Sequence, residues 1–181
     1  MLATAAPVAT SLSSGATLQN YQGSAVVNAG AMDADGVLWT VREQAHDGLQ
    51  SWYVFFDPLN PSRLQATLDF GAAIVAVQTS RDGLIATQTD WQVDIDSDGL
   101  FDDYARRPLM GLEAVDSVNW TVGGSLLSID WRADDPGDHI RVLVQVPQAP
   151  QPAQPVPEPA SAALVLLALA AAGTAGRRRS S

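Results

Sequence analysis

Before residue 160 no stretch of ten residues repeats its apolar side chains at the helical period, and this constrains the fold more than any motif. Short extended runs recur instead. Residues 37–42, 51–57, 63–70, 72–77, 84–89, 117–122, 125–131 and 139–146 are rich in β-branched and aromatic side chains, and Gly, Pro or Asp clusters punctuate them. The nearly unbroken apolar run Ser51-Trp52-Tyr53-Val54-Phe55-Phe56-Asp57 predicts a strand buried on both faces. Residues 63–70 alternate at period two and predict a half-buried strand. Residues 117–122 and 125–131 flank Gly123-Gly124, which predicts a hairpin closed by a primed turn. A weaker edge strand is expected at Ala25-Val26-Val27. Eight or nine short strands at regular spacing predict an antiparallel β-sandwich.

Four segments follow. Residues 1–20 read as a flexible lead-in and residues 21–146 as the sandwich. Residues 147–159 hold six prolines among Gln, Ala, Val and Glu, which predicts an extended, partly polyproline II spacer. Residues 160–181 are an apolar helix with a basic stub.

That last segment has three parts in a fixed order: Pro157-Glu158-Pro159, an uncharged tract over residues 160–176, and Arg177-Arg178-Arg179. Seventeen residues sit at the lower limit of a membrane span, because about 20 apolar residues cross a hydrocarbon core of ~30 Å. Three arginines directly after the tract would be held on the cytoplasmic side, leaving the rest of the chain outside the cytoplasm. This tripartite ending resembles the PEP-CTERM sorting signal of exported proteins from Gram-negative bacteria. The resemblance implies recognition by a membrane transpeptidase-like enzyme, an exosortase, acting near Pro157, Glu158 and Pro159. It implies transient residence in the inner membrane, then release to the outer surface or the extracellular matrix, a setting of exopolysaccharide and biofilm. It covers about one-seventh of the chain and concerns destination, not activity.

Charge supports export and excludes some partners. The chain has 20 acidic and 10 basic residues; without Glu158 and the three tail arginines, 19 acidic face 7 basic. Such a surface repels nucleic acid and anionic lipid. Cysteine is absent, so disulfides, thiolate metal sites and cysteine nucleophiles are excluded. Residues 1–9 lack the basic and apolar regions of a signal peptide, yet their small residues look like its cleavage end. The expectation is that the native precursor begins upstream and that residues 1–20 include the remnant of a truncated signal peptide.

The densest group of chemical side chains is Asp94-Ile95-Asp96-Ser97-Asp98-Gly99-Leu100-Phe101-Asp102-Asp103. With Asp94 as position 1, carboxylates fall at positions 1, 3, 5 and 9, glycine at 6, and the Leu100 carbonyl at 7. Crowded anions with hard oxygen ligands favour Ca²⁺. The segment resembles the loops of EF-hand-like, dockerin and thrombospondin type 3 calcium repeats. It departs from them at position 12, where Ala105 stands in place of the bidentate acid, and Asp103 is the substitute on offer. Two readings stay open: a calcium loop of ~10⁻⁴–10⁻³ M affinity, formed by Asp94, Asp96, Asp98, Leu100, Asp102 and Asp103, or a solvated acidic turn.

Trp39, Trp52, Trp120 and Trp131 lie in strands and read as core, whereas Trp91 and Tyr104 flank the acidic loop as candidates for stacking on a sugar ring. His46 and His139 are far apart, and no Gly-x-Ser-x-Gly elbow exists. The leading expectation is therefore a non-enzymatic exported protein of structural or adhesive role. The alternatives are a calcium-braced carbohydrate-binding module using Trp91 or Tyr104, and a surface hydrolase with a carboxylate pair.

Overall fold

The computed structural model describes residues 4–21, 34–95, 97, 99, 104, 111–134 and 137–146. The chain divides into a unit at Met1–Ala149 and a second at Pro150–Ser181. The spacer, the apolar tract and the arginine stub all lie outside the described residues. Among the described residues no helix is long and apolar enough to cross a membrane.

Among the described residues, nine strands and two short helices follow in order: β1 (Val8–Leu12), β2 (Thr17–Asn20), β3 (Val37–His46), β4 (Leu49–Phe56), β5 (Ser62–Asp69), β6 (Ile74–Gln78), α1 (Arg81–Ala86), α2 (Gln88–Trp91), β7 (Ser117–Trp120), β8 (Leu126–Ala133) and β9 (Asp138–Gln145). They form a four-stranded sheet, β1-β5-β8-β7, and a five-stranded sheet, β2-β3-β4-β9-β6. The architecture is the expected mainly-β, two-sheet arrangement. Every pairing is antiparallel except β2 with β3.

The core lies between the sheets. Leu64, Ala66 and Leu68 of β5 and Leu127, Ile129, Trp131 and Ala133 of β8 meet Trp52, Val54 and Phe56 of β4 and Ile140, Val142 and Val144 of β9. On β5 and β8 burial alternates, because the other face of their sheet meets water. On β4 and β9 it does not, because a second apolar cluster covers the five-stranded sheet from outside. That cluster comprises Tyr21, Val41, Tyr53, Phe55, Leu84 and Tyr104. The unbroken run at residues 51–57 is therefore a strand buried on both faces, as expected.

Four local expectations are corrected. Residues 8–12 and 17–20, read as lead-in, are strands β1 and β2. Residues 84–89, read as a strand, belong to α1 and α2, which cap the five-stranded sheet; Ser80 caps α1 by accepting the Gly83 N–H at 3.2 Å, and Asp82 sits in its first turn. The β7–β8 hairpin forms, but not through a primed turn: the Gly124 N–H donates to the Thr121 carbonyl, and of the two glycines only Gly123 has positive φ, at 83°. That is the demand of a type II turn, with glycine at its third position. Residues 43–46, read as connection, extend β3. The strand expected at Ala25-Val26-Val27 lies outside the described residues.

Candidate functional site

The covered face of the five-stranded sheet holds the most concentrated polar chemistry among the described residues. Glu43 follows Trp39 and Val41 onto the covered face by ordinary strand alternation, opposite Ser51, and β3 slips register with β4 around it, between Arg42 and Ala45. The Gln50 amide fills the bulge, donating to the Glu43 carbonyl at 2.7 Å and the Gln44 carbonyl at 3.3 Å. Arg141 projects from β9 to meet Glu43, and both side chains are fully buried. Its Nε donates to Glu43 Oε2 at 2.6 Å and its Nη2 to Oε1 at 2.8 Å, a two-pronged pair. Its Nη1 donates to the Leu84 carbonyl at 3.1 Å and to Thr87 Oγ1 at 2.7 Å, so β9 is tied to α1 and α2. The Ser51 hydroxyl adds a donor to Glu43 Oε2 at 2.5 Å.

Burial alone would depress the Arg141 pKa; the hydrogen bonds and charge of Glu43 more than offset it, and the pKa rises. The guanidinium also lies 5.4 Å from the centre of the Tyr53 ring. Burial, chiefly, pushes the Tyr53 and Tyr104 phenols far up, and the Glu43 charge adds to this. Both phenols stay protonated.

Tyr104 links this network to the acidic loop. Its hydroxyl donates to Glu43 Oε1 at 2.9 Å and accepts the Val93 N–H at 3.1 Å. One phenol thus closes the neck of residues 93–104 and pins it to the sheet. Within the loop, Asp94 Oδ1 accepts the Ser97 N–H at 2.7 Å and Oδ2 the Gly99 N–H at 2.8 Å. Ser97 and Gly99 take positive φ, 66° and 89°, so the chain curls round the carboxylate. Asp96, Asp98, Leu100, Asp102 and Asp103, the other ligands expected for calcium, lie outside the described residues.

The sugar-stacking role expected of Trp91 and Tyr104 needs exposed rings, and the structure buries both. Trp91 is 6% exposed and Tyr104 0%. The Trp91 indole lies on the His46 ring at 3.9 Å between centroids, and Tyr104 packs edge-on against Tyr53 at 5.1 Å. Short helices fold the segment back onto the sheet, and the amphipathic rings seal it.

A second polar group lies at the start of β9. Asp138 is 2% exposed and hydrogen-bonds to Asp116, whose own oxygens accept the Arg132 N–H at 2.7 Å and the Glu113 N–H at 3.1 Å. Burial first, then the charges of Asp116 and Glu113, push the Asp138 carboxyl up to about 8. His139, expected at a strand end, is buried and stacks on Phe55 at 5.6 Å.

Sequence reasoning missed Glu43 because residues 43–50 look like a polar connection. The available signal was Arg141. An arginine in the middle of the otherwise apolar run Ile140-Arg141-Val142-Leu143-Val144 requires an anion nearby if that strand is buried.

Residues 155–179 match the family model of the PEP-CTERM protein-sorting motif. The tail is a PEP-CTERM sorting signal. No curated protein and no solved structure matches the chain. The PEP-CTERM match includes Pro157, Glu158, Pro159 and Arg177, Arg178 and Arg179, the residues singled out in the sequence. It marks an exported protein that an exosortase-type enzyme sorts.

Proposed function

We propose that the β-sandwich is non-enzymatic cargo, delivered through the PEP-CTERM signal to the cell surface or extracellular matrix, where it has a structural or adhesive role. The observation that carries this reading is the sorting match at residues 155–179 on an acidic domain free of cysteine. The use of its buried polar groups adds support. The oxygens of Glu43 are engaged by Arg141, Ser51 and Tyr104, and Arg141 by Glu43, Leu84 and Thr87, so this chemistry fastens helices and loop to the sheet. On this reading the apolar tract holds the precursor in the inner membrane until the exosortase acts near Glu158, and the mature domain meets exopolysaccharide outside. Nucleic acid is no partner, because net charge is −10.

The test is attachment. Cells lacking this protein should lose cell–cell or surface attachment, and the full chain should restore it while a chain without residues 157–181 should not. Unchanged attachment in the deletion strain overturns the structural or adhesive role.

A second element of the proposal is calcium bracing of residues 94–103. The supporting observation is Asp94, whose carboxylate gathers the Ser97 and Gly99 amides and sets the loop's curvature. Ca²⁺ would be held by that carboxylate with Asp96, Asp98, Asp102 or Asp103 and the Leu100 carbonyl. Millimolar Ca²⁺ should raise the melting temperature, and Asp94→Asn should reduce the rise; no shift at several millimolar Ca²⁺ removes the ion from the account.

A further inference from the structure

Among the described residues the sandwich has four edge strands, β1 and β7 in one sheet and β2 and β6 in the other. An edge presents unpaired backbone N–H and C=O groups, and folded proteins blunt it with bulges, charges or proline. β1 slips register between Ala9 and Ser11, and β6 between Ile74 and Ala76. β2 is four residues long and leads directly into residues 22–33, outside the described set. β7 differs from β1 and β6. Its sequence, Ser117-Val118-Asn119-Trp120, has no charge and no proline, and its register with β8 is unbroken.

The surroundings of β7 suit a protein partner. Val118 and Trp120 face the core but are only partly covered at this open side, while Ser117 and Asn119 are exposed on the outer face. Val115 and Val122, on either side of the strand, are 66% and 73% exposed. From Ser117 to Ser125 there is no charged residue. In a chain of net charge −10, two copies can meet along that stretch without like charges face to face.

The geometry points to a second copy of this chain as the occupant, with β7 pairing antiparallel to β7 of the other copy about a two-fold axis through Asn119. The register follows from which side chains share a face. Strand partners must point the same way, which allows axes through Val118, Asn119 or Trp120; only the axis through Asn119 sets Val118 and Trp120 of the two copies against each other, so Asn119 meets Asn119 of the second copy on the outer face. Val118 then lies opposite Trp120 of the second copy, and Trp120 opposite its Val118, on the core face. Each is an aromatic–β-branched cross-strand pair, a stabilising combination. A register shifted by one residue would set an inward side chain against an outward one. Asp116 falls opposite Val122 of the second copy, which keeps the two Asp116 carboxylates at opposite ends of the joint strand pair. The two four-stranded sheets become one continuous sheet of eight strands. This inference is independent of the proposed role in attachment.

Because the chain has no cysteine, a single introduced thiol reports the contact cleanly. Directly opposed residues in an antiparallel pair have Cα atoms about 4.5–5.5 Å apart, within disulfide range. In the full chain, Asn119→Cys should give a disulfide-linked dimer at least tenfold faster under mild oxidation than Thr10→Cys, an exposed position on bulged β1. In parallel, sedimentation of the full chain should show a dimer that weakens at least several-fold in Asn119→Lys, where two like charges meet at the axis. An unchanged far-UV circular dichroism spectrum of Asn119→Lys confirms that the domain is folded. Equal cross-linking of the two cysteine variants overturns the proposal, as does association insensitive to Asn119→Lys, which would assign assembly to the tail.

Discussion

Two arginine–carboxylate pairs of the same two-pronged form lie on opposite sides of the sandwich. On the water-facing sheet, Arg63 Nε donates to Asp130 Oδ1 at 2.7 Å and Nη2 to Oδ2 at 2.5 Å, with Gln65 as a further donor to Oδ2 at 2.9 Å. These side chains are 50% and 32% exposed. On the helix-covered sheet, Arg141 and Glu43 make the same fork at 0% exposure. Chemistry is held constant and solvent is varied. At the surface, water replaces either partner when one is lost, and the pair adds little. Beneath α1 and α2 no water replaces it, so loss of one partner strands a charge. The buried pair therefore sets which packing of the covered face is tolerated, and the surface pair does not.

The sharpest way to break this comparison is Glu43→Ala. It should destabilise the domain by roughly 3–5 kcal/mol, the usual cost of an uncompensated buried charge, measured by urea unfolding. The double variant Glu43→Leu, Arg141→Met should recover much of that loss, since an apolar pair of similar volume carries no desolvation cost. If the double variant is as unstable as the single, packing and not charge is responsible.

The next effect is a pH dependence at the Asp138 end of β9. An unfolded aspartate titrates near its ordinary value of 3.8, whereas the folded carboxyl has been pushed up to about 8. Between these values the folded state holds a proton that the unfolded state has released, so stability declines as pH rises. The contribution is fully present below pH ~4, fades towards pH 8 and is gone above it. Asp138→Asn, which cannot ionise, should flatten the profile across that window; a profile as steep as that of the parent protein assigns the dependence elsewhere.

The smallest effect is expected from Arg63→Ala. The Arg63 hydrogen bonds hold the Asp130 carboxyl low, at about 2, so the pair contributes above the ordinary carboxylate range and is lost as pH falls towards 2. Both groups are solvent-accessible, so the melting temperature should move far less than in Glu43→Ala. A comparable fall would end the contrast between the two faces.

The same contrast explains what could be read from the sequence. Where one face meets water, as on β5 and β8, alternation announces strand, register and core together: Leu64, Ala66 and Leu68 are inward as their spacing requires. Where both faces are covered, alternation disappears, and only length and β-branched content remain, which sufficed for β4 and β9. The covering elements were illegible for a physical reason. α1 and α2 have six and four residues, too few for a helical period, and Leu84-Ile85-Ala86 reads equally well as a strand. β1 and β2 are only five and four residues long, held by pairing with β5 and β3 and not by their own pattern. Glu43 continues the alternation of Trp39 and Val41 on the covered face, but the polar residues that follow it made the stretch look like a connection. The tail was legible because its signal is compositional: three parts, in order, at the end of the chain.

The central claim is that this tail directs an acidic sandwich out of the cell, and fractionation of producing cells tests it most directly. The full chain should appear on the outer surface or in the medium, with its C-terminus altered near Glu158 by mass spectrometry. A variant carrying Pro157→Ala, Glu158→Ala and Pro159→Ala should remain unprocessed in the inner membrane. Identical distribution and mass at the C-terminus for the two proteins, or a full chain that stays in the cytoplasm, would contradict the account.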